Sequence, residues 1–288
     1  MDDAMVAQVR RFNRLVTQRT GALEERFLQR DRPMREARTL WEIGADGCEV
    51  RALRARLALD SGHLSRLLRA LEADGLVTVA PGVEDRRVRV ARLTAKGRRE
   101  RAVLDRRSDE LAGALLEPLA AGERERLVGA MAEVERLLTA AAVEIAPIDP
   151  DDPDARWALG EYMAELGRRF PEGFDAGRST VPDHSVLRPP AGVLLLARLH
   201  GLPVGCGALL LGYEIPVIKR MWIAPSARGL GLGRRLLAAL EERAGGTVRL
   251  ETHRVLTEAI ALYRSSGYVE VSPFNDEHFA HHWFEKRA

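Results

Sequence analysis

The sequence predicts two domains: a mainly α N-terminal domain carrying one β-hairpin, and an α/β C-terminal domain. Three observations predict this. The chain has 288 residues, where a domain typically takes roughly 100–200. Residues 146–154 hold three prolines and four aspartates, which deny helix and sheet alike a continuous run. Before that stretch apolar residues recur almost entirely at helical spacing; after it, strand-like and helix-like segments mix. The expected domains are therefore 1–145 and 146–288.

Composition sets the outer bounds. At 46% hydrophobic and 30% charged residues, the chain has apolar material for two cores and is not disordered over most of its length. No stretch approaches the roughly 18 consecutive apolar residues of a membrane span, so no membrane partner is expected. The start, Met1-Asp2-Asp3, lacks the apolar region of a secretory signal. Cys48 and Cys206 stand too far apart for a disulfide framework or a Cys-rich zinc site, and a cytoplasmic location is expected. The net charge of +2 decides nothing alone. Within Pro81–Arg107, however, ten basic side chains face four acidic ones, a local basic stripe.

In the first domain, helical spacing runs through 6–28, 37–43, 50–57, 64–76, 101–119 and 123–143. The exception is 76–93. There Val77-Thr78-Val79 and Val88–Leu93 read as short strands around the turn residues Pro81–Asp85. In the second domain, 193–199, 204–211, 215–223 and 248–252 are strand-like, and 155–169, 233–244 and 257–266 are helix-like.

Asp60 and Ser61 can cap a helix whose apolar positions are Leu64, Leu67, Leu68, Leu71 and Leu76. Its other face carries His63, Ser65, Arg66 and Arg69. A short helix at 50–57, a tight connection, this helix and a basic hairpin make a winged helix-turn-helix pattern, with the second helix suited to a major groove. The run His63–Val77 resembles the recognition helix of the MarR family of transcription regulators. Asp85-Arg86-Arg87 followed by Leu93-Thr94-Ala95-Lys96-Gly97 is similar to that family's wing. The resemblance covers about 1–145. It implies binding of double-stranded DNA through Ser61, His63, Ser65, Arg66, Arg69, Arg86 and Arg87, with Asp85 ion-paired to the wing arginines and Arg87 probing the minor groove. It also implies a homodimer through long flanking helices. Two plainer readings stand beside it: a solvated arginine face, or a domain kept only for dimerisation.

The strongest chemical motif is Arg228-Gly229-Leu230-Gly231-Leu232-Gly233-Arg234. It follows a strand and opens a helix, so successive N–H groups and the positive helix end can converge on a pyrophosphate. A dinucleotide-binding loop is the rival, and Glu251 lies 20 residues after Gly231 as such a loop would want. Several strands precede the glycines, however, and Arg228 opens the loop. The segment instead resembles the pyrophosphate loop of the GNAT family, the acetyl-CoA-dependent N-acetyltransferases. Lys219–Pro225 resembles that family's central strand, and Ala259–Tyr268 its last helix and following strand.

This second resemblance covers about 143–288 and implies an α/β fold with a central mixed sheet. It implies acetyl-CoA as the acetyl donor, bound by Met221, Trp222, Ile223, Arg228, Gly229, Leu230, Gly231, Leu232, Gly233 and Arg234, and an amine acceptor, small or a protein lysine. Tyr263 matches the family's general-acid tyrosine; its alternative is an ordinary helix–sheet contact. The base is open between Glu251 and Glu214, because Val217 stands where similar enzymes often have a glutamate. Leu256 replaces a frequent cofactor-contacting asparagine.

The tail 275–283 is polar and aromatic. His278 and His282, four apart, invite a metal reading, but no cysteine is near and no metal is expected. Asn275, Glu277 and His281 are the expected lining of an acceptor pocket whose other wall is Tyr162, Glu165 and Phe174; surface or packing roles are the alternative. The whole reads as a bifunctional DNA-binding regulator and N-acetyltransferase. The alternatives are a regulator that senses acetyl-CoA or another ligand without turnover, and an enzyme whose winged helix only dimerises.

Overall fold

The computed structural model of the protein describes residues 2–19, 28, 33–82, 86–179 and 184–287. The chain divides into two compact units, Met1–Met131 and Ala132–Ala288. Asp85 and residues 20–27 of the expected first helix lie outside the described residues. Among the described residues no helix is long and apolar enough to cross a membrane.

The first unit holds α1 (Asp3–Arg19), α2 (Met34–Ile43), α3 (Val50–Leu57), α4 (Ser61–Ala73) and α5 (Ala95–Leu116), and the boundary falls inside α6 (Ala121–Ala141). Strands β1 (Cys48–Glu49), β2 (Val77–Pro81) and β3 (Arg89–Leu93) form an antiparallel sheet in the order β1-β3-β2. Leu40, Ile43, Leu53, Leu64, Leu71 and Leu104 fill its core. The Asp60 carboxylate accepts from the His63 amide at 2.8 Å, capping α4 as its sequence promised. Thr94 caps α5, accepting from the Gly97 amide at 3.0 Å and donating to the Gly75 carbonyl at 2.7 Å. Gly97 has no substitute there, because a Cβ would stand 2.0 Å from the Leu76 carbonyl oxygen.

The second unit is a seven-stranded mixed sheet in the order β4-β5-β6-β7-β8-β10-β9. The strands are β4 (Val143–Ile148), β5 (Gly192–Leu199), β6 (Leu202–Leu210), β7 (Val217–Ile223), β8 (Val248–Thr252), β9 (Val269–Val271) and β10 (His282–Lys286). Helices α7 (Pro153–Arg169), α8 (Leu232–Ala244) and α9 (Thr257–Ser265) accompany it. The proline-rich stretch behaves differently from expectation. Val143–Ile148 is a strand paired with β5 through Pro147, which is tolerated because β4 is the sheet's edge. Pro153 then opens α7 behind the Asp152 cap. Arg235 of α8 donates to the carbonyls of Ala140 and, at 2.9 Å, Val143, satisfying acceptors where α6 ends and β4 begins.

Two features shape the site. A register shift opposite Cys206–Ala208 bulges β7, with Arg220 at φ 57°. The parallel β7–β8 pairing covers only Val217↔Arg249 and Ile218↔Leu250. Beyond those residues the two strands part, and a crevice opens between Met221–Ile223 and Glu251–Thr252.

Candidate functional site

The crevice has an outer and an inner part that share Tyr162, Leu166, Met221, Leu256, Ala259 and Tyr263. The outer part, about 540 Å³, is lined by Met221, Trp222, Ile223, Arg228, Gly229, Gly231, Leu232, Gly233 and Arg234. Gly229 and Gly231 take φ of 79° and 74°, which side chains resist, and they turn the loop into the start of α8. No side chain caps that start. Its first-turn N–H groups and helix dipole are therefore of the kind that can meet an anion. Leu230 is absent from that lining, and both it and Leu232 pack their side chains on the hydrophobic core.

Glu165 departs from expectation. It lines the outer part rather than a wall with Phe174, and accepts from Trp222 Nε1 at 2.9 Å and Arg228 Nη2 at 2.5 Å. Burial raises its pKa, but those hydrogen bonds prevail and hold the carboxyl below its ordinary value.

The inner part, about 100 Å³, holds the ionisable cluster. Lys219 pairs with Glu251 and, at 3.0 Å, with Glu277; Glu277 also accepts from Ser179 Oγ at 3.0 Å. Burial pushes the Glu251 carboxyl up, and Lys219 only partly opposes this. Tyr263 is buried beside it, and its phenol is driven up by burial and then by the Glu251 charge, so it stays protonated. Burial likewise raises Tyr162. Phe174 lies in the inner wall with Phe170 and Phe279.

The structure does not bring every candidate here. Glu214 is exposed on the loop before β7, next to the end where β7 and β8 still pair, and lines neither part of the crevice. Of the two carboxylates the sequence offered as a base, Glu251 is the one that lines the inner part, where Glu277 also lies. Asn275 stands one step back, donating to Glu251 at 3.5 Å and accepting from Trp283 Nε1 at 2.9 Å. His281 is exposed, with its ring 4.4 Å from that of His253. His278 contacts Arg178 and His282 contacts Glu270, so the tail histidines diverge. Among the described residues no group of three His, Cys, Asp or Glu is placed to hold a metal.

Sequence reasoning missed Lys219 as a charge partner and His253 altogether. His253 is buried, stacked on Phe170 at 4.0 Å. Its Nδ1 accepts from the Val255 amide at 3.1 Å, so Nε2 carries the proton toward Glu172 at 2.9 Å. Nothing in a lone histidine after a strand signals this.

In the first unit, α4 exposes Ser61, His63, Arg66 and Arg69, with Ser65 half-buried. The Asp60 carboxyl is held down to about 2 by its hydrogen bond to the His63 ring. Arg69 reaches back to Ser65 Oγ at 3.2 Å. Arg86 and Arg87 are exposed in the turn between β2 and β3. Arg51 and Arg54 of α3 join Arg69 and Arg89 around one cleft beside α4. Their i, i+3 spacing was the available signal.

Comparison with known proteins agrees with this division. Residues 159–268 match the model of the acetyltransferase (GNAT) family, and residues 31–88 that of the MarR family. An IAA acetyltransferase of Azospirillum brasilense is 37% identical over 123 residues, covering 41% of this chain and 80% of that protein. A solved Klebsiella pneumoniae protein provisionally assigned as an acyl-CoA N-acyltransferase is 33% identical over 51% of this chain and 98% of its own, with a TM-score of 0.42. A MarR-family regulator from Rhodococcus sp. is 22% identical over 48% and 96%, with a TM-score of 0.40.

Proposed function

The chain belongs to the acetyltransferase (GNAT) family through its C-terminal part and joins to it a MarR-family region; from that premise we propose that it is bifunctional. The N-terminal domain binds double-stranded DNA as a homodimer, and the C-terminal domain transfers acetyl from acetyl-CoA to an amine. The observation that carries the second half is one crevice with the glycine loop at its outer end and Tyr263 and Glu251 at its inner end.

The chemistry follows from charge development. The neutral amine attacks the thioester carbonyl carbon, and the oxyanion that forms needs donors, which backbone N–H groups near Trp222 and Ile223 supply. Collapse breaks the C–S bond, and the departing thiolate takes the Tyr263 proton. Glu251 accepts the proton the nitrogen sheds, and exchange with solvent returns both groups to their starting state. Arg228, Arg234 and the start of α8 hold the phosphates of the substrate.

For the DNA half, support comes from the exposed basic face of α4, α3 and the wing turn. Met5, Val9 and Leu15 of α1 are exposed apolar residues of the kind a dimer covers.

The test is CoA release from acetyl-CoA across a panel of amines, comparing wild type with Tyr263→Phe and measuring acetyl-CoA binding calorimetrically on the same samples. Turnover that collapses in the variant while binding persists supports the reading. Binding without turnover on any amine supports the alternative, a regulator that senses acetyl-CoA or another ligand. Absence of binding rejects both.

A further inference from the structure

We propose that His253 is a positioning residue for the transfer: while neutral it fixes the turn that spaces Glu251 from Tyr263, and on protonation it lets that turn go. This rests on the transfer reading above and adds to it a residue that acts through two others. The turn is His253-Arg254-Val255-Leu256. It joins β8, which carries Glu251, to α9, which carries Tyr263. No side chain caps the start of α9, so the entry to that helix is set by the turn before it.

Hydrogen bonds hold the turn. The Leu256 amide donates to the His253 carbonyl at 3.0 Å, and the Val255 amide to His253 Nδ1 at 3.1 Å. Arg169 of α7 donates to the Val255 carbonyl at 2.9 Å. A ring nitrogen that accepts from the amide two residues on does what an asparagine side chain does in an Asx turn. The ring itself is fixed from the other side. It is 1% exposed, stacked at 4.0 Å on Phe170, and its Nε2 donates to Glu172 at 2.9 Å.

A neutral imidazole has one N–H and one acceptor nitrogen, and here both are spent. An added proton goes to Nδ1 and sets a donor against the Val255 amide, so that bond is lost. The bond to Glu172 becomes charge-assisted and stronger. The ring therefore stays with the segment after α7, and the turn is what it releases. The charged and titratable groups around it are Glu172 on that segment, His281 on the tail before β10, and Arg254 in the turn, with Glu251 two residues back. The ring's hydrogen bond holds the Glu172 carboxyl below its ordinary value, so Glu172 is ionised when the proton arrives. Burial, and then the His253 charge, lower His281, so the two rings do not charge together. Imidazole is the side chain that ordinarily changes charge between roughly pH 5 and 8, within reach of assay. A shift of about 1 Å between Glu251 and Tyr263 is enough to cost about 10²-fold in rate.

The experiment follows kcat and KM against pH for the full chain with acetyl-CoA and the best amine of the panel. It compares wild type, His253→Leu and His253→Asn. Leucine fills the space without an acceptor, whereas asparagine keeps an acceptor for the Val255 amide and does not titrate. His253→Leu should lower kcat about tenfold or more while the KM for acetyl-CoA moves by roughly threefold at most. His253→Asn should recover most of that loss, and its kcat should fall less steeply in acid than that of wild type. Asparagine no better than leucine, or equal steepness in wild type and His253→Asn, overturns the proposal. The Val255 amide resonance, followed by NMR, gives a readout without turnover. It should move as the His253 ring takes its proton, and hold still over the same pH range in His253→Asn. A Val255 amide indifferent to that protonation overturns the proposal whether or not any amine reacts. Absence of turnover, by contrast, sinks only the transfer reading.

Discussion

Arg228, at the head of the glycine loop, is held by Glu165 of α7 at 2.5 Å, and the same carboxylate binds the Trp222 indole at 2.9 Å. The cation best placed to meet a phosphate thus already has an internal counter-ion, and a phosphate must compete with it. Glu165→Gln should keep the indole contact while removing that competition. We expect acetyl-CoA to bind several-fold tighter at low salt, with the gain shrinking as salt rises because Arg228 is partly exposed. Weaker binding in calorimetric titrations would show that Glu165 positions Arg228 rather than opposing the substrate.

Glu251 sets a pH limb. Its carboxyl is raised above the ordinary value of roughly 4.3 by burial. As a base it works only when deprotonated, so kcat/KM should rise with pH through that raised pKa. The linked stability effect has the opposite sign. Its protonated form is favoured on folding, so this contribution is full below the ordinary pKa and lost as pH rises through the folded one. Glu251→Gln should remove the acid limb along with most turnover; a limb unchanged in the variant assigns it to another group.

Tyr263 gives no alkaline limb within reach. Burial drives its phenol upward, so the acid stays protonated through ordinary alkaline assays. A decline below about pH 10, the ordinary tyrosine value, that disappears in Tyr263→Phe would contradict its environment. The same substitution should lower kcat by about 10²-fold or more and change acetyl-CoA affinity little.

Arg87 is exposed in the wing turn. Its replacement by alanine should weaken DNA binding across sequences and reduce the salt slope by about 0.9, as expected for one lost phosphate contact. An unchanged slope in filter-binding titrations removes Arg87 from the interface.

Thr94 joins the turn between α4 and β2 to α5 through the Gly75 carbonyl and the Gly97 amide. Thr94→Ala should cost about 1 kcal/mol of stability in urea, the usual worth of an N-cap. No measurable change would mean that water takes over both contacts.

What was legible in the sequence was local. The Asp60 cap, the hairpin around 76–93 and the strand–loop–helix passage through 228–234 depend on near neighbours, and each formed as its chemistry required. What was not legible depended on pairings far along the chain. Lys219 meets Glu277 across 58 residues, and Glu165 meets Arg228 across 63. Their residue types announce only that they are charged. Pro147 misled because proline argues against a central strand, and edge position is a property of the sheet, not of the segment. Glu214 misled because proximity in sequence to β7 does not say which end of the strand opens.

The edge position of β4 has a practical consequence for dividing the protein. A chain begun at residue 146 would lose Val143–Ile145 and the α6 carbonyl that Arg235 satisfies. It would uncover the outer rim of β5 at Ala197–Leu199, the residues that pair with Val143–Ile145, as a template for intermolecular strand pairing and aggregation. Beginning near Ala132, where the compact unit itself begins, keeps that rim covered, so the transferase half should be prepared with the end of the long helix still attached.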